Sequence, residues 1–245
     1  MPGPSGTLAF LLLALLAEIA GTVGGFGSSV FFVPAAALFF DFESVLGITA
    51  LFHLVSNASK LGLFRAGVEW RIVLWMGVPS VALAALGGLA SAWVPVRALE
   101  TALGAALVLV AAWMWWQPTW MLRPGRLGLA AGGAVSGGLA GLVGTGGAVR
   151  GAALAAFDLR KEVFVATSAA IDLGTDLARA GAYLRNGYIH GHDLAWLPLL
   201  AVVAWLGTWI GRRVLRRVPQ ARFRRIALAM VGGIGAWTLV AALRG

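Results

Sequence analysis

The 245-residue chain has no cysteine, only 12% charged residues and only three histidines. Without cysteine it can build no disulfide scaffold, no thiolate metal site and no cysteine nucleophile. Ordinary soluble domains carry about 25% charged residues, so much of the expected charge is missing. Hydrophobic residues make up 60% of the chain instead, and mean hydropathy is +0.86. Such a chain can neither stay dispersed in water as a disordered polymer nor cover itself as a soluble domain, which leaves a membrane protein. The Gly-Lys-Ser/Thr ending of a phosphate-binding loop is absent, as are serine-hydrolase and metalloprotease patterns, so no enzyme and no ATP-driven pump is expected from this chain alone. His190 and His192 bracket Gly191 beside Asp193. A polar loop is the ordinary reading of that set, and neither a metal nor a cofactor is expected.

Glycine (34) and tryptophan (11) are abundant. Glycine suits helices that approach closely or unwind in lipid, and tryptophan suits the membrane interface, as for Trp113, Trp115, Trp116 and Trp120 at the end of one apolar run. The net charge of +9 does not point to nucleic acid, because seven basic residues fall between Arg212 and Arg225 and much of the rest sits in short gaps between apolar runs. That placement orients helices, and the Arg212–Arg225 segment suits anionic lipid. Apolar runs are expected at Thr7–Val23, Ser44–Phe64, Ile72–Trp93, Ala98–Trp116, Leu127–Val143, Val163–Leu184, Leu194–Ile210 and Ile226–Leu243. The first has no basic residues before it and leads into further apolar chain, so it reads as mature structure rather than a signal peptide. Two shorter runs follow glycine breaks: Ser28–Phe40 after Gly24-Gly25-Phe26-Gly27, and a second, reaching Phe157, after Gly144-Thr145-Gly146-Gly147. Thirteen helical residues reach about 20 Å, short of a hydrocarbon core of roughly 30 Å.

The sequence of glycine break, short run, acidic turn and polar-studded helix occurs twice, about 120 residues apart. Gly24 and Gly27 match Gly144 and Gly147. With one residue of slip, Glu43 matches Glu162, Thr49 matches Ser168, His53 matches Asp172, Asn57 matches Asp176 and Lys60 matches Arg179. The whole chain is thus one transmembrane domain, residues 1–245, with internal repeats at about 7–117 and 126–243. If each glycine-broken pair is a hairpin, the segments 65–71, 118–126, 158–161 and 212–225 share one side and hold 13 basic residues, whereas 41–43, 94–97 and 185–192 hold only Arg97 and Arg185. The expected fold is all-α and polytopic: two inverted repeats, each a glycine-broken helical hairpin followed by three transmembrane helices, an architecture suited to alternating access.

His53, Asn57 and Lys60 lie at i, i+4 and i+7 on one helix face, and Asp172, Asp176 and Arg179 repeat that face with carboxylates added. Ionisable groups inside a bilayer cost several kcal/mol, so they face a cavity or one another. One reading is a polar pathway in which Lys60 and Arg179 attract an anion and Asp172 or Asp176 takes a proton. The other pairs Asp176 with Arg179 and lets Lys60 snorkel to the headgroups. The breaks free backbone N–H groups at the starts of two half-helices, which suits a small anion. Ser28, Ser29 and Thr145 add hydroxyls there, and Arg150 adds charge in the second copy only. Close helix packing is the alternative reading of Gly24, Gly25, Gly27, Gly144, Gly146 and Gly147. Glu18 has no acidic match in the second copy, and two readings stay open for it: a proton or cation group, or half of an ion pair whose basic partner the sequence does not locate.

Gly24-Gly25-Phe26-Gly27 with Pro34, Gly47-Ile48-Thr49-Ala50, Asn57 and the Phe64–Trp70 exit resemble the N-terminal motif of the TauE/SafE family of sulfite exporter or permease-like membrane proteins. Gly144-Thr145-Gly146-Gly147, Ala166-Thr167-Ser168-Ala169 and Gly187-Tyr188-Ile189 resemble its C-terminal motif. The resemblance covers essentially the whole chain. It implies a secondary transporter of the cell inner membrane, with about eight spans, that moves sulfite, organosulfonates or related small anions. Leu154 stands where the equivalent of Pro34 would fall, and Asp172 and Asp176 stand opposite His53 and Asn57. A coupling proton or cation and a homo-oligomer stay open as partners beside the anionic solute and membrane lipid. The rival readings are a non-transporting membrane assembly or interaction protein, and an anion channel.

Overall fold

The computed structural model describes residues 4–64, 67–93, 125–155, 157 and 159–244, together with scattered positions between 101 and 116. Most of the run expected at Ala98–Trp116, with Trp113, lies outside the described residues, as do Arg65, Arg97, Trp120 and Arg123. All described elements are helical: α1 (Pro4–Gly24), α2 (Ser29–Ala36), α3 (Phe42–Leu63), α4 (Trp70–Ala90), α5 (Arg126–Val143), α6 (Gly147–Ala155), α7 (Lys161–Asn186), the single turn α8 (Gly191–Leu194), α9 (Leu197–Arg217) and α10 (Gln220–Arg244). By length and composition α1, α4, α5 and α9 are each able to cross a membrane. The protein is therefore all-α and polytopic.

Local chemistry sets the boundaries. The Asp41 side chain caps α3 by accepting the Ser44 N–H at 3.0 Å. Gly187, at φ 79°, ends α7, with its own N–H on the Leu184 carbonyl and that of Tyr188 on the Tyr183 carbonyl. In α4 a π-helical turn spans Val73–Gly77, just before Pro79. Proline has no N–H for the carbonyl one turn back, and the wider turn absorbs that defect. The arginine-rich stretch departs from expectation: Arg212, Arg213, Arg216 and Arg217 continue α9, and α10 resumes at Gln220, leaving only Val218 and Pro219 between them. Arginine is a good helix former, and basic residues in a last turn complement the C-terminal carbonyls.

The burial pattern is that of a protein in lipid. Leu8, Leu12 and Leu16 on α1, Trp70, Leu74 and Val78 on α4, and Val202 and Trp205 on α9 are exposed, while Glu18, Lys60, Arg150, Asp172, Asp176 and Arg179 are buried. Helices approach closely where glycine permits it. Gly133, Gly137 and Gly141 on α5 lie against the backbone of Met76, Ser80 and Ala84 on α4, and Gly207 and Gly211 on α9 lie against Glu18 and Thr22 on α1.

Helix ends gather in two layers. In one, the Phe10 ring meets those of Phe39, Phe40 and Trp196, Ser44 reaches His190 and Asp193, and Asn186 donates to the Gly88 carbonyl. In the other, Arg212 lies over the Phe64 ring, Arg126 over Trp75, and Lys161 Nζ donates to the Leu215 and Val218 carbonyls. The α1–α2 hairpin opens onto the first layer. The α5–α6 hairpin opens onto the second, where Ala155 and Phe157 pack with Phe64, Met76 and Leu129. Partners are exchanged between the two ends of the chain: α1 packs on α9 and α5 on α4, α3 packs on α9 and α7 on α4, and α3 and α7 pack on each other.

Candidate functional site

The two polar faces read from the sequence meet along the α3–α7 contact. Asn57 Nδ2 donates to Asp176 Oδ2 at 2.7 Å, and His53 Nδ1 lies 4.0 Å from the same oxygen. Arg179 binds Asp176 Oδ1 through Nε (2.9 Å) and Nη2 (2.7 Å), the i, i+3 pair that the spacing allowed. Its remaining nitrogen, Nη1, donates to the Gly144 carbonyl at 2.6 Å and to that of Ala140 at 3.5 Å. Tyr183 adds hydrogen bonds to the carbonyls of Gly141 (2.6 Å) and Ala140 (3.1 Å). Arg179 and Tyr183 together therefore satisfy carbonyls that the end of α5 leaves free inside the protein. Tyr183 was missed in the sequence, although its place four residues after Arg179 put it on the same face.

Glu18 has its partner in Lys60. Lys60 Nζ lies 2.8 Å from Glu18 Oε1 and 2.6 Å from Ser56 Oγ, and both ions are almost fully buried. Lys60 therefore does not snorkel. The Glu18 carboxylate also accepts hydrogen bonds from Ser28 (2.5 Å), Ser56 (2.8 Å), Thr208 (2.9 Å) and Thr22 (3.2 Å). Because the single Ser28 proton goes to Glu18, the contact of Ser28 Oγ with His53 Nε2 at 3.1 Å requires the histidine to donate. A neutral His53 thus carries its proton on Nε2.

The glycine breaks are real interruptions, and they touch. Gly25 and Gly27 have φ of 81° and 95°, and Gly144 has φ of 76°, a region that residues with a Cβ rarely adopt. Thr145 donates to Ser29 Oγ at 3.3 Å. Arg150, on α6 just after the second break, donates through Nη2 to the carbonyl of Phe26 in the first break at 2.8 Å. The same nitrogen pairs with Asp172, and Nε donates to Ser168 at 2.9 Å. A Cβ at Gly27 would stand 3.1 Å from Asp172 Oδ2, and one at Gly147 would run into the Phe26 carbonyl. Ser136 occupies the Gly146 carbonyl at 2.9 Å. Of the glycines singled out, Gly24 and Gly25 stand apart from the polar groups: Gly24 faces the Phe26 ring and Met230, and Gly25 faces the rings of Phe164 and Phe223.

Three carboxylates and three cations are thus buried between the breaks, each matched by one of opposite charge, with His53 beside them. Among the described residues, two side-chain atoms in this interior have no partner, Asn57 Oδ1 and Arg150 Nη1. Elsewhere, His190, His192 and Asp193 bring their ligand atoms within 4.8 Å of one another. There Asp193 Oδ2 accepts the His190 N–H at 3.0 Å, which caps α8.

Apolar helices with exposed leucine and tryptophan faces around a buried, charge-balanced polar interior define a multi-pass membrane protein that holds polar groups at the meeting of two helix breaks. The chain belongs to the sulfite exporter TauE/SafE family, a family of membrane transporters of small, sulfite-like anions, whose model matches residues 10–238. No curated protein and no solved structure matches the chain.

Proposed function

We propose that this protein is a secondary transporter of a small oxyanion, sulfite or an organosulfonate, in the cell inner membrane, working by alternating access. The contact between the two breaks carries this reading. Thr145 meets Ser29 there, and Arg150 meets the Phe26 carbonyl, with both breaks buried among the polar side chains of α3 and α7. Irregular backbone is tolerated in a membrane protein where it is buried or lines a polar cavity, and in carriers such interruptions form solute sites. The residues in reach of a solute there are Gly27, Ser28, Ser29, His53, Asn57, Thr145, Gly147, Asp172 and Asp176. Lys60 and Arg179, bound to Glu18 and Asp176, hold the walls in place.

Two observations support repeats of opposite orientation at about 7–117 and 126–243. The hairpins open onto opposite layers, and α1–α9 packing in one direction is mirrored by α5–α4 packing in the other. The layer that gathers Arg126, Lys161 and Arg212 is the basic one, which the positive-inside bias assigns to the cytoplasm. Rocking of one half on the other would expose the breaks to each side in turn. The test is flux into proteoliposomes with sulfite, taurine-like sulfonates and a panel of carboxylates at several pH values. Saturable uptake of at least one oxyanion is expected. Its absence with every substrate would favour a non-transporting membrane partner, and currents that do not saturate would favour a channel.

A further inference from the structure

One reading of the sequence let Lys60 and Arg179 attract the anion. Both already have partners. Lys60 spends its ammonium on Glu18 and Ser56, and Arg179 spends all three guanidinium nitrogens on Asp176 and on the α5 carbonyls. Arg150 differs. It is only 1% exposed, its Nε is on Ser168 and its Nη2 is shared between the Phe26 carbonyl and Asp172, yet Nη1 has no partner. A terminal guanidinium nitrogen carries two N–H donors fixed in the plane of the group, and leaving them unpaired inside a membrane protein is costly. Among the described residues Arg150 is the one buried cation with a whole nitrogen left without a partner, and it stands where the two breaks touch.

We propose that Arg150 is the anion anchor of the transport site, and that Asp172 competes with the substrate for it. This rests on the transport reading above. The first oxygen of the solute binds Nη1. Release of Nη2 by Asp172 then opens the Nη1–Nη2 edge to a second oxygen, a fit for sulfite, sulfonate or carboxylate groups that carry two or more oxygens on one centre and a poor fit for halide. Gly27 lets the first break come close to both ions, since a Cβ there would lie 3.1 Å from Asp172 Oδ2 and 3.4 Å from Arg150 Nη2. Selection by a planar fork makes Arg150 the residue that sets the substrate class.

The test measures sulfite binding to the full-length protein in nanodiscs by calorimetry, beside flux in proteoliposomes. Four proteins are compared: wild type, Arg150→Gln, Arg150→Lys and Asp172→Asn, with folding checked by gel filtration and circular dichroism. Arg150→Gln is expected to weaken sulfite binding by about ten-fold or more, and Arg150→Lys to recover part of that loss, because it restores the charge without the fork. Asp172→Asn removes the competitor and is expected to tighten binding by about ten-fold. A purely structural Arg150–Asp172 pair would not give that gain, and Asp172→Asn keeps the test open if Arg150→Gln does not fold. Binding by Arg150→Gln within about two-fold of wild type, or weakening in Asp172→Asn, would overturn the anchor even if transport persists. Sulfite binding that depends on Arg150 in a protein with no flux would uphold the anchor and overturn the transport reading. No binding and no flux in wild type with sulfite, sulfonates or carboxylates would overturn both.

Discussion

Removing one member of the Glu18–Lys60 pair should cost far more than removing both. Both ions are buried, 2.8 Å apart, on helices that pack near α9. Taking away one partner of a buried pair generally costs about 3–5 kcal/mol, because the other charge stays buried. The two single variants should not be equal. In Lys60→Met the Glu18 carboxylate keeps the hydroxyls of Thr22, Ser28, Ser56 and Thr208, so the loss should fall near 3 kcal/mol, at the low end of about 3–5. In Glu18→Gln the ammonium keeps only the Ser56 oxygen and an amide, so the loss should approach about 5 kcal/mol. For a chain of this size that corresponds to roughly 10 °C or more in melting temperature. The double variant should be more stable than Glu18→Gln alone, with a coupling of about 2 kcal/mol or more in the double-mutant cycle. Thermal unfolding of the four proteins in one detergent measures it. Single losses that add to the double loss within about 0.5 kcal/mol would refute the pairing.

Gly27→Ala should destabilise the protein by about 1–3 kcal/mol, because φ is 95° and the new Cβ would press on Asp172, and sulfite flux should fall with it. Tyr183→Phe removes the hydroxyl from the Gly141 and Ala140 carbonyls and should cost about 1–2 kcal/mol in the same melts, with binding at Arg150 unchanged. Asp41 lies in the turn between α2 and α3, and the Ser44 N–H at its carboxylate lowers its pKa below the usual carboxylate value. Its stabilisation is therefore present at neutral pH and lost as pH falls through that lowered value. Asp41→Ala should cost about 1 kcal/mol at neutral pH and much less in strong acid, as read by melting temperature against pH.

Hydropathy and glycine placement carried much of the fold. Away from the arginine-rich stretch the apolar runs match the described helices within a few residues, because every backbone group in lipid must be satisfied within its own helix; in that stretch one helix ends seven residues after Ile210 and the next begins six before Ile226. The arginine-rich stretch misled because hydropathy treats arginine as an end of span, although it propagates helix well. The i, i+3 pair Asp176–Arg179 was legible from spacing alone. Glu18–Lys60 was not, since its members sit on different helices and nothing in local spacing encodes which helices pack. Arg150 was visible only as a charge without a counterpart in the first copy. Its meaning depends on which of its nitrogens the fold leaves unused, and that is set by Phe26, Ser168 and Asp172 from two distant parts of the chain.

The placement of charge bears on whether the halves can separate at all. Glu18 and Lys60 both belong to the first half, and Arg150, Asp172, Asp176 and Arg179 all belong to the second, so among the described residues each of these lysine or arginine pairs closes within one half, and only His53 reaches a carboxylate across, at 4.0 Å from Asp176. The hydrogen bonds that join the halves around the breaks each have a neutral member, among them Asn57 on Asp176, the Phe26 carbonyl under Arg150, Thr208 on Glu18 and Thr145 on Ser29. Parting the halves therefore strands no buried charge, which would cost about 3–5 kcal/mol for each pair broken. The Ser29–Thr145 contact is the place to test this, because the chain has no cysteine of its own and the two hydroxyls lie 3.3 Å apart. In Ser29→Cys/Thr145→Cys, oxidation should form a disulfide across the two breaks and stop sulfite flux. Reduction should restore it, and each single cysteine variant should transport in both conditions. Wild-type flux through the cross-linked protein would mean that the breaks do not part during transport.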